Sequence, residues 1–244
     1  MVRTDRMVDL ARALVAMHAS NEIVLYSTTL TAQIPRSHAG HAFRQFQRSM
    51  YLFELIRLAA MWDGYGSDRE SIPTVVKLID DRAVIEAVLN RMREREAQPP
   101  HLHIVGEEDL DPATAQEIRE LFGHGQKRIS EERVEAARAG MQRAIQRCRE
   151  IAASAKVEAL RDLRDRAIAH NLDLPEPAEG EETESDRWRY GGETDLLSET
   201  IELVEELNKA INSTSFDWDE AKGQSRRNAE ELWTNCQFSI PSRS

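Results

Sequence analysis

The chain has 244 residues, 41% hydrophobic and 31% charged, with few glycines and prolines and a net charge of −11. That length can bury a substantial core, and a composition led by Ala, Leu, Glu and Arg favours helix nearly throughout. Two distant cysteines, Cys148 and Cys236, argue against a disulfide framework or a zinc site, and no secretory h-region or membrane-length apolar run is present, so a soluble cytoplasmic protein is expected.

In chain order, residues 5–33 read as a first helix, with Leu10, Leu14, Met17 and Val24–Leu25 on helical spacing, closed by Ile34-Pro35. A second helix is expected over 37–62, its apolar stripe formed by Phe43, Phe46, Met50, Phe53, Leu55–Ile56 and Ala60. Asp63-Gly-Tyr-Gly-Ser67 reads as a turn, lacking the lysine and spacing of a phosphate-binding loop. Ser71 caps a short helix that takes Pro73 in its first turn.

A helix over 80–97 stops at Pro99-Pro100, and His101-Leu-His-Ile-Val105 reads as a loop or a lone strand. Asp111-Pro112 opens a helix to Phe122, which Gly123-His-Gly125 is expected to break. The longest helix is predicted over 130–171, its seam formed by Met141, Ala144, Ile145, Cys148, Ile151, Ala152, Ala155, Ala159, Leu163 and Ala167. Residues 172–195 form an acidic loop with Pro175, Pro177 and Gly191-Gly192. Thr194-Asp195 caps a helix to Asn212, and an amphipathic helix covers 218–233. The whole is expected to be one all-α, up-and-down helical bundle with 37–62 and 130–171 as its spine.

Charge is unevenly distributed. Residues 126–170 hold eleven Lys/Arg against seven Asp/Glu, whereas 173–206 is strongly acidic. A basic helix face aimed at phosphate fits that asymmetry, as does a set of salt-bridged helix faces. Within the basic stretch, Leu160-Arg-Asp-Leu-Arg-Asp-Arg-Ala-Ile-Ala-His-Asn171 places Arg164 six positions before His170. These two residue types supply what RNA cleavage by 2′-OH attack requires. An imidazole shuttles a proton near neutral pH, and a guanidinium forks onto phosphate and stabilises charge in the transition state. A 2′-OH nucleophile restricts such a site to RNA.

The spacing raises a geometric difficulty. Six residues of regular helix separate two side chains by about 120°, so Arg164 and His170 do not share a face, whereas Arg166 and His170 do. Either the helix loosens near its end, or the site is assembled from two protomers across a symmetric interface.

The segment resembles the R-x(4–6)-H signature of HEPN domains, with polar Asp165 after the motif arginine. Its Ile168-Ala-His170 ending resembles the abortive-infection AbiU-like branch. So do Leu58-Ala-Ala-Met-Trp-Asp63 and the short helix Ser71-Ile-Pro-Thr-Val-Val-Lys-Leu78 that follows. The resemblance implies a HEPN-like bundle with extra terminal helices, and a homodimer whose cleft gathers two arginines and two histidines. It also implies endoribonuclease chemistry in phage defence, abortive infection or a toxin–antitoxin setting. His170 would be the acid–base residue, Arg164 the phosphate clamp and Asp165 the group orienting one of them. Arg166, Arg161 and Lys156 would contact RNA, and an antitoxin would be a further partner. The tyrosine that some HEPN toxins carry two residues after the histidine is Leu172 here, against regulation by modification at that position.

Other candidates carry plainer readings. His38 and His41 lie three apart at a helix start with no third ligand nearby, so no metal or other cofactor is expected. Trp62, Trp218 and Trp233 belong to apolar helix faces, whereas Trp188, in Asp186-Arg-Trp-Arg-Tyr190, reads as a docking point for the acidic loop. Two rival functions are a non-catalytic RNA- or nucleotide-binding module, with salt-sensitive binding and no product, and a protein-interaction scaffold.

Overall fold

The computed structural model describes residues 2–34, 36–96, 111–169 and 191–240. Among these are nine α-helices and no strand: α1 (Val2–Tyr26), α2 (Thr28–Ala32), α3 (His38–Met61), α4 (Ile72–Ile79), α5 (Arg82–Glu96), α6 (Pro112–Ala152), α7 (Ala155–Ala169), α8 (Gly192–Asn212) and α9 (Trp218–Thr234). The described residues form an all-α helical bundle. α8 lies at its centre, packed between α1 and α6. α3 and α9 flank α1, α4 and α5 flank α6, and α7 lies on α3.

Short polar side chains define most helix starts by accepting a backbone N–H that the helix leaves unpaired. Ser71 Oγ accepts from Thr74 N at 3.3 Å, as its sequence suggests, with Pro73 in the first turn. Asp111 caps α6 through the amides of Ala113 and Thr114, both at 3.1 Å. Asp217 caps α9 through Glu220 N at 2.9 Å.

Four expected boundaries are corrected. The first helix does not run to 33: Ser27 interrupts it and caps the short α2 through Leu30 N at 3.4 Å. Gly123 and Gly125 do not break α6, which continues through both. Each glycine weakens a helix by about 1 kcal/mol but, unlike proline, keeps its hydrogen-bond donor. The stretch 130–171 is not one helix either. Ser154 Oγ accepts from Val157 N at 3.3 Å, so a hydroxyl that competes for backbone donors ends α6 and caps α7. Finally, α8 begins at Gly192 rather than after Thr194-Asp195. Gly191 enters it at φ 93°, with its amide donating to Glu193 Oε2 at 3.0 Å.

The core face of α3 also differs from the expected stripe. Phe46 and Phe53 are exposed, and the buried residues are Tyr51, Glu54, Leu55, Leu58, Ala59, Met61 and Trp62. Phe43 instead packs edge-on against Phe238, with ring centroids 5.5 Å apart, and Phe46 lies 6.3 Å from Trp233. The aromatic residues at the start of α3 therefore meet the end of α9 and the chain beyond it. The α8 face turned to α6 is fitted closely: a Cβ added at Gly140 would come within 3.2 Å of Ala210 Cβ.

The arginines of α6 largely bridge helices. Arg138 pairs with Glu86 at 2.6 Å, Arg149 with Asp80 at 2.5 Å and Arg133 with Glu96 at 3.1 Å, lacing α6 to the α4–α5 side. Arg147 reaches Glu202 and Glu206 of α8. Local excess of positive charge in this stretch is thus matched by carboxylates of neighbouring helices.

Candidate functional site

Ser154 turns the chain so that α7 lies against the C-terminal end of α3. That end carries carbonyls without intrahelical donors and the negative pole of the helix dipole, which favours cations. Two α7 arginines, three residues apart and so on one face, meet it. Arg161 donates through Nη2 to the carbonyl oxygen of Trp62, the C-cap residue of α3. Arg164 donates through Nη1 to Asp63 Oδ1, the next residue along.

Asp165 holds the other edge of the same guanidinium. Its Oδ1 accepts from Arg164 Nε at 2.9 Å and lies 2.8 Å from Nη2. Burial works against the charged form of Arg164, but hydrogen bonds and charges of Asp63 and Asp165 outweigh it and raise its pKa further. The cation is permanent and its plane is fixed. Contacts among the described residues engage three of its five N–H groups, so an added phosphate oxygen does not require both carboxylates to leave.

Trp62 anchors this arrangement from below. Its indole is fully buried, and Nε1 donates to Thr200 Oγ1 of α8 at 2.9 Å. Thr200 Oγ1 in turn donates to Leu196 O at 2.6 Å. One residue therefore receives Arg161 on its backbone carbonyl and reaches α8 with its side chain.

The other expected site residues fall into three groups. Lys156 pairs with Glu199 of α8 at 2.9 Å, and Arg161 is tied to Trp62, so both serve the packing of α7. Arg166 is exposed and donates to Asp162 O at 3.2 Å. His170 lies outside the described residues, as do His101, His103, Trp188 and most of the acidic stretch 172–195. α7 is α-helical as far as Ala169, so no loosening up to that residue brings Arg164 and His170 onto one face. His38 and His41 are exposed, His41 Nδ1 lying 2.9 Å from Arg44 Nη2, and no metal-binding group of three or more His, Cys, Asp or Glu occurs among the described residues.

A family model described as HEPN_AbiU2, AbiU2, matches residues 4–232, nearly the whole chain. The chain belongs to the HEPN_AbiU2 family. No curated protein and no solved structure matches it. Among the described residues, no helix of this HEPN_AbiU2 chain is long and apolar enough to cross a membrane.

Two features of the HEPN_AbiU2 chain were missed by sequence reasoning. The first is Asp63 as the partner of Arg164; its signal was a carboxylate just past a helix end, opposite a helix rich in arginine. The second is a buried polar cluster joining α1, α3 and α8. Glu54, 1% exposed, accepts from Asn21 Nδ2 at 2.5 Å and lies 2.7 Å from His18 Nδ1. Glu193, also buried, accepts from Tyr51 Oη at 3.2 Å. Burial disfavours the charged form of His18, yet the hydrogen bond and charge of Glu54, with Glu22 and Glu193, raise its pKa overall. Here the available signal was polar residues on apolar stripes: Asn21 follows Leu14 by seven, and Glu54 falls between Tyr51 and Leu58.

Proposed function

We propose that this chain is a metal-independent endoribonuclease of phage defence, abortive infection or a toxin–antitoxin setting, acting as a homodimer with a site shared between protomers. The observation that carries this reading is the Arg164 guanidinium, fixed between Asp63 and Asp165 at the end of α3, in a chain of a HEPN family. Arg164 is the phosphate clamp, Asp165 its orienting carboxylate, and exposed Arg166 an accessory RNA contact. His170 takes the 2′-OH proton as a neutral imidazole; the 2′-oxygen attacks phosphorus, and the 5′-oxygen leaves and is protonated. The products are a 2′,3′-cyclic phosphate and a 5′-hydroxyl. The helical path of α7 to Ala169 supports a site completed by a second protomer.

Purified protein is incubated with total RNA and a tRNA pool in EDTA, beside Arg164→Ala, His170→Ala and the double variant. Cyclic-phosphate products that vanish in each variant are expected, and normal cleavage by the double variant would sink the proposal. Mixing the two single variants tests the sharing: partial recovery is expected from dimers that unite one intact arginine with one intact histidine.

One observation favours a second reading. Most arginines of α6, with Lys156 and Arg161 of α7, are already matched inside the chain, which suits a protein-interaction scaffold. Partner binding indifferent to Arg164→Ala and His170→Ala, with no RNA product, would decide for it.

A further inference from the structure

The α4–α5 side of the bundle ends level with Arg133 of α6, where Glu96 closes α5. α6 begins 21 residues earlier, so about 32 Å of helix extends past α5, and most of its described residues are exposed. On this extension Leu121, Phe122 and Ile129 are 73%, 53% and 46% exposed. With Ile118 and Gly125 they form one stripe at helical spacing. It is displaced by about a third of a turn from the buried seam of Val134, Ala137, Met141 and Cys148. The stripe is therefore a separate face, not the exposed end of the core seam.

Gly125 lies in the middle of this stripe. A Cβ added there would meet nothing within 4 Å, so no contact among the described residues requires a glycine, although glycine weakens the helix by about 1 kcal/mol. A glycine at this position leaves room for a neighbour to approach the helix closely.

The pattern is self-complementary. A two-fold axis between Gly123 and His124, with two copies antiparallel, sets Phe122 of each against Gly125 of the other and Ile118 against Ile129. The ring then fills the space over the glycine, as a knob enters a hole. The same axis brings each flank of the helix against the same flank of the second copy. Glu117 and Arg128 share one flank, so Glu117 of each copy lies within about 3 Å along the axis of the other's Arg128. Among the described residues Arg128 pairs loosely with Glu132, at 3.8 Å.

We propose that the extended half of α6 is a self-association surface that takes a second copy of this chain, antiparallel, through Ile118, Phe122, Gly125 and Ile129. Phe122 is 30 residues, about 45 Å of helix, from the end of α6 where α7 begins. This contact is therefore separate from Arg164 and does not rest on the ribonuclease reading. A chain that also associated through α7 would form a larger assembly from two kinds of two-fold contact.

The test is sedimentation of the full chain over a concentration series, for wild type, Phe122→Glu, Glu117→Arg, Arg128→Glu and the double reversal. Wild type should associate, and Phe122→Glu should lose one association step while matching the wild-type melting temperature at concentrations where both are monomeric, since Phe122 is exposed in the free chain. Each single reversal sets like charges together at two symmetric places and should weaken association at least about tenfold. The double reversal should restore it. Because residues 117 and 128 stand about 16 Å apart on one helix, that rescue cannot arise within a chain. A wild type monomeric at every concentration, as when residues 97–110 of its own chain cover the stripe, overturns the proposal. So does a Phe122→Glu protein of unchanged mass, or a double reversal without rescue.

Discussion

The Arg164 guanidinium and the Asp63 carboxylate, 101 residues apart in the chain, form an ion pair that joins α7 to the end of α3. Both side chains are largely shielded, so the pair is worth more than an exposed one. Asp63→Ala should destabilise the fold by about 2 kcal/mol. A double-mutant cycle with Arg164→Ala, read by denaturant unfolding, should return a coupling of about 1–2 kcal/mol. Additive losses would mean that the two side chains are merely neighbours. On the proposed function, Asp63→Ala should also reduce RNA cleavage while Asp63→Asn, which keeps an acceptor, reduces it less.

His18 and Glu54 predict a pH dependence with a definite sign. The pKa of His18 in the folded chain lies above its ordinary 6.5. Its contribution to stability is therefore fully present below pH 6.5 and is lost as pH rises through the higher, folded value. Melting temperatures of wild type and His18→Gln should differ most at the acidic end of that window and converge above it. A gap that widens as pH rises would contradict the assignment. Glu54→Ala, which strips His18 and Asn21 of their buried acceptor, should be the more damaging change, by about 3 kcal/mol.

The two cysteines should behave differently towards thiol reagents. Cys148 is buried in the α6 seam, and burial pushes its thiol up to about 11, with Arg149 opposing only in part. Cys236 is partly exposed. Native protein at mildly alkaline pH should modify at Cys236 alone, and denaturant should release a second equivalent. Rapid modification of both in the native state would show that α6 opens locally.

Two left-handed backbone positions bracket α8 and predict opposite effects. Gly191 has φ 93°, so Gly191→Ala should cost about 1–2 kcal/mol. Ser213, the C-cap, holds φ 55° with a side chain, so Ser213→Gly should stabilise by up to about 1 kcal/mol. Thermal unfolding of the two variants tests both signs.

Local chemistry was legible where it acted alone. Ser71 and Pro73 marked the start of α4, and the apolar spacing of 37–62 matched α3 within one residue at each end. Competition between local signals was not. Ser154 sits inside an apolar seam that reads as continuous, and only its hydroxyl's capture of Val157 N divides the helix. Gly123 and Gly125 look like a break, yet nothing local removes a backbone donor. The buried face of α3 was misjudged because large aromatic residues outrank Glu54 on any hydropathy scale, although Glu54 is the buried one and Phe53 is not. For the site, the arginine could be found by motif, but Asp63 depends on how α7 turns, a tertiary fact that spacing does not encode.

Trp62 gives its indole N–H to Thr200 and its backbone oxygen to Arg161. A single residue thus links the seating of α8, through its side chain, to the seating of α7, through its backbone. Thr200→Val, which touches neither arginine, removes the first of these links while keeping the volume. The precision with which Arg164 is aimed is consequently set in part by a hydroxyl 36 positions away on a different helix, so the tolerance of the site to change extends well beyond the residues that line it.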